Sequence, residues 1–158
     1  MPLTSAPEVA PQTAPPISAA ELSSDDPRTV LIALHNQSRA AQGLPGYTAS
    51  PQLQQAAQAQ ADYLVAKPAT ELYAVGPGGH IGPNGSKPAD RVAATGYAAS
   101  AADENWAFYN TPQAAFDWWL NDQYHRPQIV SARYTQVGFG VAAHPNGGTV
   151  FVAVYGVP

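Results

Sequence analysis

The chain has 158 residues, enough for one domain of ordinary size and too few for two with separate cores. Hydrophobic residues make up 45% and charged residues 11%, so a core can form while Gln, Asn, Ser, Thr and backbone groups solvate the surface. Seven Lys and Arg against 11 Asp and Glu leave a net charge of -4, which excludes the basic patch of a nucleic-acid binder, and the absence of cysteine excludes thiol nucleophiles, disulfides and thiolate metal sites.

The first 27 residues hold six of the 16 prolines, no Lys or Arg, and only Leu3, Val9, Ile17 and Leu22 as large apolar residues after Met1. Such a stretch cannot collapse and reads as a disordered Pro/Ala-rich linker. It has neither the basic start nor the continuous apolar run of a signal peptide, and no membrane span; if the protein is exported, its signal has been removed. Asp26-Pro27 then predicts a helix start, with Val30, Leu31 and Leu34 at helical spacing and a stop at Gly43. On that helix Asn36 and Arg39 lie three apart on one face, placed to tie it to a neighbour, and His35 reads as a packing residue. Ser50-Pro51 opens a second helix whose stripe is Leu53, Ala57, Ala61 and Leu64, small enough for close packing.

Between Gly76 and Gly85 the run GPGGHIGPNG predicts a loop able to bring backbone close to a ligand, with His80 in its middle. A short helix follows over Pro88 to Ala94, stopped by Gly96, and after Asp103-Glu104-Asn105 the aromatic run Trp106, Phe108 and Tyr109 reads as strand-like. Thr111-Pro112 starts a third long helix, expected to finish near Tyr124. Adjacent Trp118 and Trp119 cannot face the same way on it, so one of them is expected to line a groove, while Trp106 is core or cleft wall. Tyr134 to Ala143 and Thr149 to Tyr155 predict a hairpin closed by an Asn-Gly turn at 146–147, with His144 solvated.

Four polar groups sit at element ends or in the glycine-rich loop: His80, Glu104, Asp122 and His125. If the third long helix persists, Asp122 and His125 share a face. Two imidazoles with carboxylates are enough for zinc or another divalent ion with an open position, or for acid and base work on a bound water. Each group also has a structural reading. Glu104 would accept from Arg91, His80 would bond Glu104 and pin its loop, His125 would cap helix carbonyls, and Asp122 would find a partner such as Arg126. Arg91 and Arg126 read as clamps between loop and helix.

The order of residues resembles the CAP superfamily, the SCP-like proteins, and in particular its short, cysteine-free bacterial members. The resemblance runs through Leu34-His35-Asn36-Gln37-Ser38-Arg39, Ser50-Pro51, His80, Asp90-Arg91, Gly96-Tyr97, Glu104-Asn105, Thr111-Pro112, Trp119-Leu120-Asn121, His125-Arg126 and Tyr134 to Val141, and covers residues 28–156. It implies an α+β fold, a three-layer α-β-α sandwich with a small, mainly antiparallel sheet, over a CAP domain at 28–158. It also implies a cleft in which His80 and Glu104 match the first histidine and glutamate of a family metal tetrad and Asp122 replaces the second glutamate. The second histidine position holds Arg133, a fixed cation, so that His125 is the nearby replacement and a metal set of His80, Glu104 and His125 is the one to test. Asn36, Arg39, Arg91, Asn105, Trp119 and Arg126 are assigned to support.

The resemblance implies a secreted or cell-envelope, monomeric domain, non-enzymatic, binding a small hydrophobic, lipid or cell-envelope ligand in the His/Glu-lined cleft, with a divalent metal such as zinc as an optional cofactor and no nucleic-acid partner. Two alternatives stand beside it. One is a hydrolase using metal-bound or Glu104-activated water with His80 or His125 as acid. The other is a structural or interaction scaffold in which the cluster is a buried polar network.

Overall fold

The computed structural model describes residues 26–158. The expected linker therefore lies outside the described residues, except for Asp26 and Pro27. Those two begin the domain: the Asp26 side chain accepts from the Arg28 amide, and α1 runs over Pro27–Ala41. Gly43, at φ +70, sits just past its end, as a helix stop requires. The two-residue strand β1 (Thr48–Ala49) leads to Ser50, whose hydroxyl caps α2 (Pro51–Val65). Next come α3 (Ala69–Leu72), two 3-10 turns at Gly76–His80 and Pro83–Gly85, and α4 (Pro88–Ala94). The edge strand β2 (Ala101–Tyr109) is followed by α5 (Pro112–Asn121), capped by Thr111, by α6 (Arg126–Ile129), and by the hairpin β3 (Gln136–Ala143) and β4 (Thr149–Val157).

The sheet order is β1-β3-β4-β2, with β1 parallel to β3 and the other pairs antiparallel. Strand alternation sends Val150, Val152 and Val154 to one face and Phe151, Ala153 and Tyr155 to the other. The first set packs with Leu53, Ala57, Ala61 and Leu64 of α2, Leu72 of α3 and Val92 of α4. The second packs with Val30, Leu31 and Leu34 of α1, Phe116 and Trp119 of α5, and Ile129 of α6. This is the α-β-α sandwich expected, with a mainly antiparallel sheet.

Close approach of α2 to the sheet is made possible by two glycines of β3. A Cβ on Gly138 would overlap the α2 backbone at Leu53 and Gln54, and one on Gly140 would overlap it at Ala57. The alanines of α2 and the glycines of β3 thus let helix and strand backbones meet without side chains between them.

Three local expectations are corrected. Helix α5 ends at Asn121 rather than near Tyr124, because Asp122 takes an extended conformation (φ -99°, ψ 132°). In the β3–β4 loop the left-handed positions are Gly147 and Gly148 (φ 95° and 86°), so the turn rests on the Gly-Gly pair rather than on Asn146. His144 is buried, not solvated: its Nε2 lies 2.9 Å from the Lys67 carbonyl and its Nδ1 accepts from the Asn146 amide.

Candidate functional site

Strand β2 forms one outer edge of the sheet, and a cavity of about 800 Å³ runs along it, bordered by every residue from Asp103 to Asn110. One wall comes from α3 and the glycine-rich turn, through Leu72, Tyr73 and His80, and the other from Trp118, Tyr124 and His125. Aromatic rings pair along both walls. Tyr73 lies 5.4 Å from Phe108, Trp118 lies 6.4 Å from Tyr109, and the Trp118 and His125 rings are 4.5 Å apart. Trp118 is 39% exposed while Trp119 is fully buried, so adjacent tryptophans do face opposite ways.

At one end of the groove His80 Nδ1 lies 3.0 Å from Glu104 Oε1, and Arg91 Nη2 donates to Glu104 Oε2 at 2.8 Å. The same Nη2 donates to the His80 carbonyl, and Nη1 to the Ser86 carbonyl, so Arg91 holds the loop and the carboxylate together. The Glu104 side chain is fully buried and both its oxygens are met by donors, as a buried carboxylate requires. Gly79 lies flat on the Trp106 indole, where a Cβ would clash, and its carbonyl accepts from Gln60 Nε2 at 2.6 Å. Gln60 is fully buried and was missed by sequence reasoning. The signal for it was a polar residue set in the apolar stripe of α2, next to Ala56, Ala57, Ala61 and Leu64.

On the opposite wall, Asp122 Oδ1 lies 2.6 Å from His125 Nδ1 and also accepts from the Tyr124 amide. The hydrogen bond from His125 is the main reason the Asp122 carboxyl is held below the usual range. The pair meets although α5 does not persist. The turn after Asn121, not a shared helix face, brings them together. Asp122 is not part of the groove lining; it orients His125, which is.

Behind β2 a polar chain crosses to α1. Asn105 Nδ2 donates to the His125 carbonyl (2.9 Å) and to the Tyr155 hydroxyl (3.2 Å). Tyr155 in turn meets His35 Nε2 at 2.8 Å, and His35 Nδ1 lies 2.7 Å from the Leu31 carbonyl. A carbonyl accepts only from an N–H, so His35 carries its proton on Nδ1 and Tyr155 donates to Nε2. Burial pushes the His35 imidazole down to about 4 and the Tyr155 phenol well above its usual range.

Asn36 exchanges hydrogen bonds with the Tyr47 backbone, and Arg39 donates to the carbonyls of Pro45, Ile129 and Ser131 while its guanidinium lies 3.7 Å over the Tyr47 ring. Arg126, expected as a clamp, is exposed and its side chain makes no hydrogen bond or ion pair among the described residues. The clamping falls to Arg91 and Arg39.

The residues present do not fit a divalent ion. Among the described residues no group of three or more His, Asp or Glu side chains is placed to hold one. Both oxygens of Glu104 are engaged, one of them by a guanidinium at 2.8 Å. His80 and His125 sit on opposite walls of the groove, each against its own carboxylate and with no third ligand beside them among the described residues, and the family's second histidine position is the exposed Arg133.

Comparison with known proteins agrees with the fold. An extracellular SCP-domain protein of Bacillus anthracis is similar over 92% of this chain and 45% of its own, at 18% identity and a TM-score of 0.69. For an outer surface protein of Borrelia burgdorferi the values are 81%, 90%, 15% and 0.63, and for a cysteine-rich secretory protein of Staphylococcus aureus 82%, 37%, 14% and 0.59. The chain thus spans less than half the length of the Bacillus and Staphylococcus proteins. No curated protein matches it. Among the described residues no helix is long and apolar enough to cross a membrane. The profile of the cysteine-rich secretory protein (CAP) family matches residues 32–155, and the chain, although it contains no cysteine, belongs to that family.

Proposed function

We propose that this CAP domain is an extracytoplasmic, non-enzymatic binding module that holds an amphipathic, cell-envelope or small hydrophobic ligand in the groove along β2, without a metal. The observation that carries this reading is a division of labour in the groove. The groups able to do chemistry are tied to one another in the His80–Glu104–Arg91 and Asp122–His125 sets, while Tyr73, Tyr109, Trp118 and Tyr124 leave large aromatic surfaces uncovered. A volume of about 800 Å³ is in the range of small-molecule sites, and an aromatic lining with a few polar groups suits a partly apolar ligand. Among the described residues no Ser, Thr or Lys borders the groove, so neither a Ser or Thr hydroxyl nor a lysine amine has a candidate nucleophile there. The extracellular and surface settings of the similar bacterial proteins support an export reading.

Hydrolysis is the second reading, favoured by one observation: Glu104 holds His80 Nδ1, as a carboxylate does in orienting a general base. Tryptophan fluorescence during titration with dodecyl maltoside separates the two. Binding predicts a saturable change that Trp118→Ala weakens by about tenfold. No change with the detergent, together with turnover of peptide, ester or glycan substrates that His80→Gln abolishes, would reverse the assignment.

A further inference from the structure

Strand β2 pairs with β4 through all nine of its residues, and among the described residues no strand lies on its other side. Antiparallel pairing uses only half of a strand's backbone groups; those of alternate residues point outward. The groove is bordered by consecutive residues from Asp103 to Asn110, whose side chains alternate between the two sheet faces. A cavity can touch every residue of a strand in turn only by following its edge. Of the usual edge guards AADENWAFY lacks Lys and Pro; its two charges are the acidic Asp103 and Glu104, and Glu104 is turned inward and paired with Arg91.

The polar lining asks for donors. Among the described residues no Lys or Arg borders the groove, whereas Asp103 does; its oxygens accept from the Glu104 amide and from Gln128 Nε2 but meet no cation, while Glu104 beside it is paired with Arg91. A carboxylate or phosphate head group would meet Asp103 with like charge. An N–H-rich chain carrying a positive charge would complement it.

Resting on the binding reading above, we infer that the occupant is an extended peptide from another protein. It adds as a strand to the free edge of β2, with apolar side chains against the aromatic walls and a Lys or Arg at the Asp103 end. Backbone hydrogen bonds supply affinity, and the alternating pockets supply selectivity. The chain's own residues 1–25 are poorly suited: they contain five prolines, which have no N–H to donate, and no Lys or Arg.

The test uses the full chain and blocked nonapeptides of alternating valine and threonine with one lysine near an end, measured by calorimetry. Two further peptides carry N-methyl groups on one or the other alternate set of amides, a third has Glu for Lys, and dodecylamine serves as a non-peptide cation. The expected result is binding of the lysine peptide, weakened about tenfold or more by methylation of one alternate set and little by the other. The Glu peptide binds about tenfold more weakly, and Asp103→Asn narrows that gap. Equal binding of both methylated peptides overturns strand addition. Binding of dodecylamine or dodecyl maltoside without any peptide binding also overturns it, while leaving the ligand groove intact. If no probe of either kind binds or perturbs Trp118, both the peptide and the groove readings fail.

Discussion

His35 is fully buried against the rings of Phe116, Phe139 and Tyr155, and burial lowers its pKa from 6.5 to about 4. The unfolded chain therefore binds the extra proton first, and stability is full above pH 6.5 and lost as the pH falls toward 4. The shift corresponds to about 3 kcal/mol over that window. Urea unfolding at pH 7 and pH 4 should show the loss, and His35→Phe should remove the part of the slope that lies between pH 6.5 and 4. Glu104 and Arg91 make the second residue-scale test. Glu104→Gln leaves a buried guanidinium without its counter-charge and should destabilise by about 3–5 kcal/mol, while adding Arg91→Met should recover much of that loss. An unchanged urea midpoint for the single variant would show that the pair is not buried as described. At this scale the sequence was legible where residue type and local position agree: His80 in a glycine-rich loop, and Glu104 as an acceptor for Arg91. It missed Gln60 and wrongly placed His144 in solvent, because their partners, the Gly79 and Lys67 carbonyls, are backbone atoms brought in by distant segments.

Element boundaries followed from local chemistry wherever a cap and a stop coincide. The Asp26-Pro27, Ser50-Pro51 and Thr111-Pro112 starts are all occupied as caps. The end of α5 was misplaced because Asp122 has ordinary helical neighbours, and only the bonds it makes with Tyr124 and His125 turn the chain outward. The contact of α2 with β3 depends on two missing side chains. Gly138→Ala would drive a Cβ into the α2 backbone, which has no flexible end to yield, and should destabilise by about 1–3 kcal/mol or more. Gly78→Ala meets nothing within 4 Å and should stay within about 0.5 kcal/mol of the parent. Thermal unfolding of the two variants side by side checks the helix–strand contact, and equal effects would contradict it.

For the whole molecule, the sandwich was readable from the order of motifs, and the groove was not. Its position depends on β2 lying at the sheet edge, a property of strand order that hydrophobic periodicity does not carry. Nor could spacing show that the histidines serve separate carboxylates instead of one metal centre. The central claim is a groove that binds ligand without metal, and the three tryptophans report on it directly. Trp106 and Trp118 border the groove, whereas Trp119 is buried in the α1–α5 layer. The decisive measurement is the ¹⁵N–¹H spectrum of their indoles during titration with dodecyl maltoside and with the lysine peptide, in chelator. At least one of the two ligands should move the Trp118 and Trp106 signals saturably while Trp119 stays in place. Movement of the groove signals only after zinc is added, or no selective movement with either ligand, would contradict the claim.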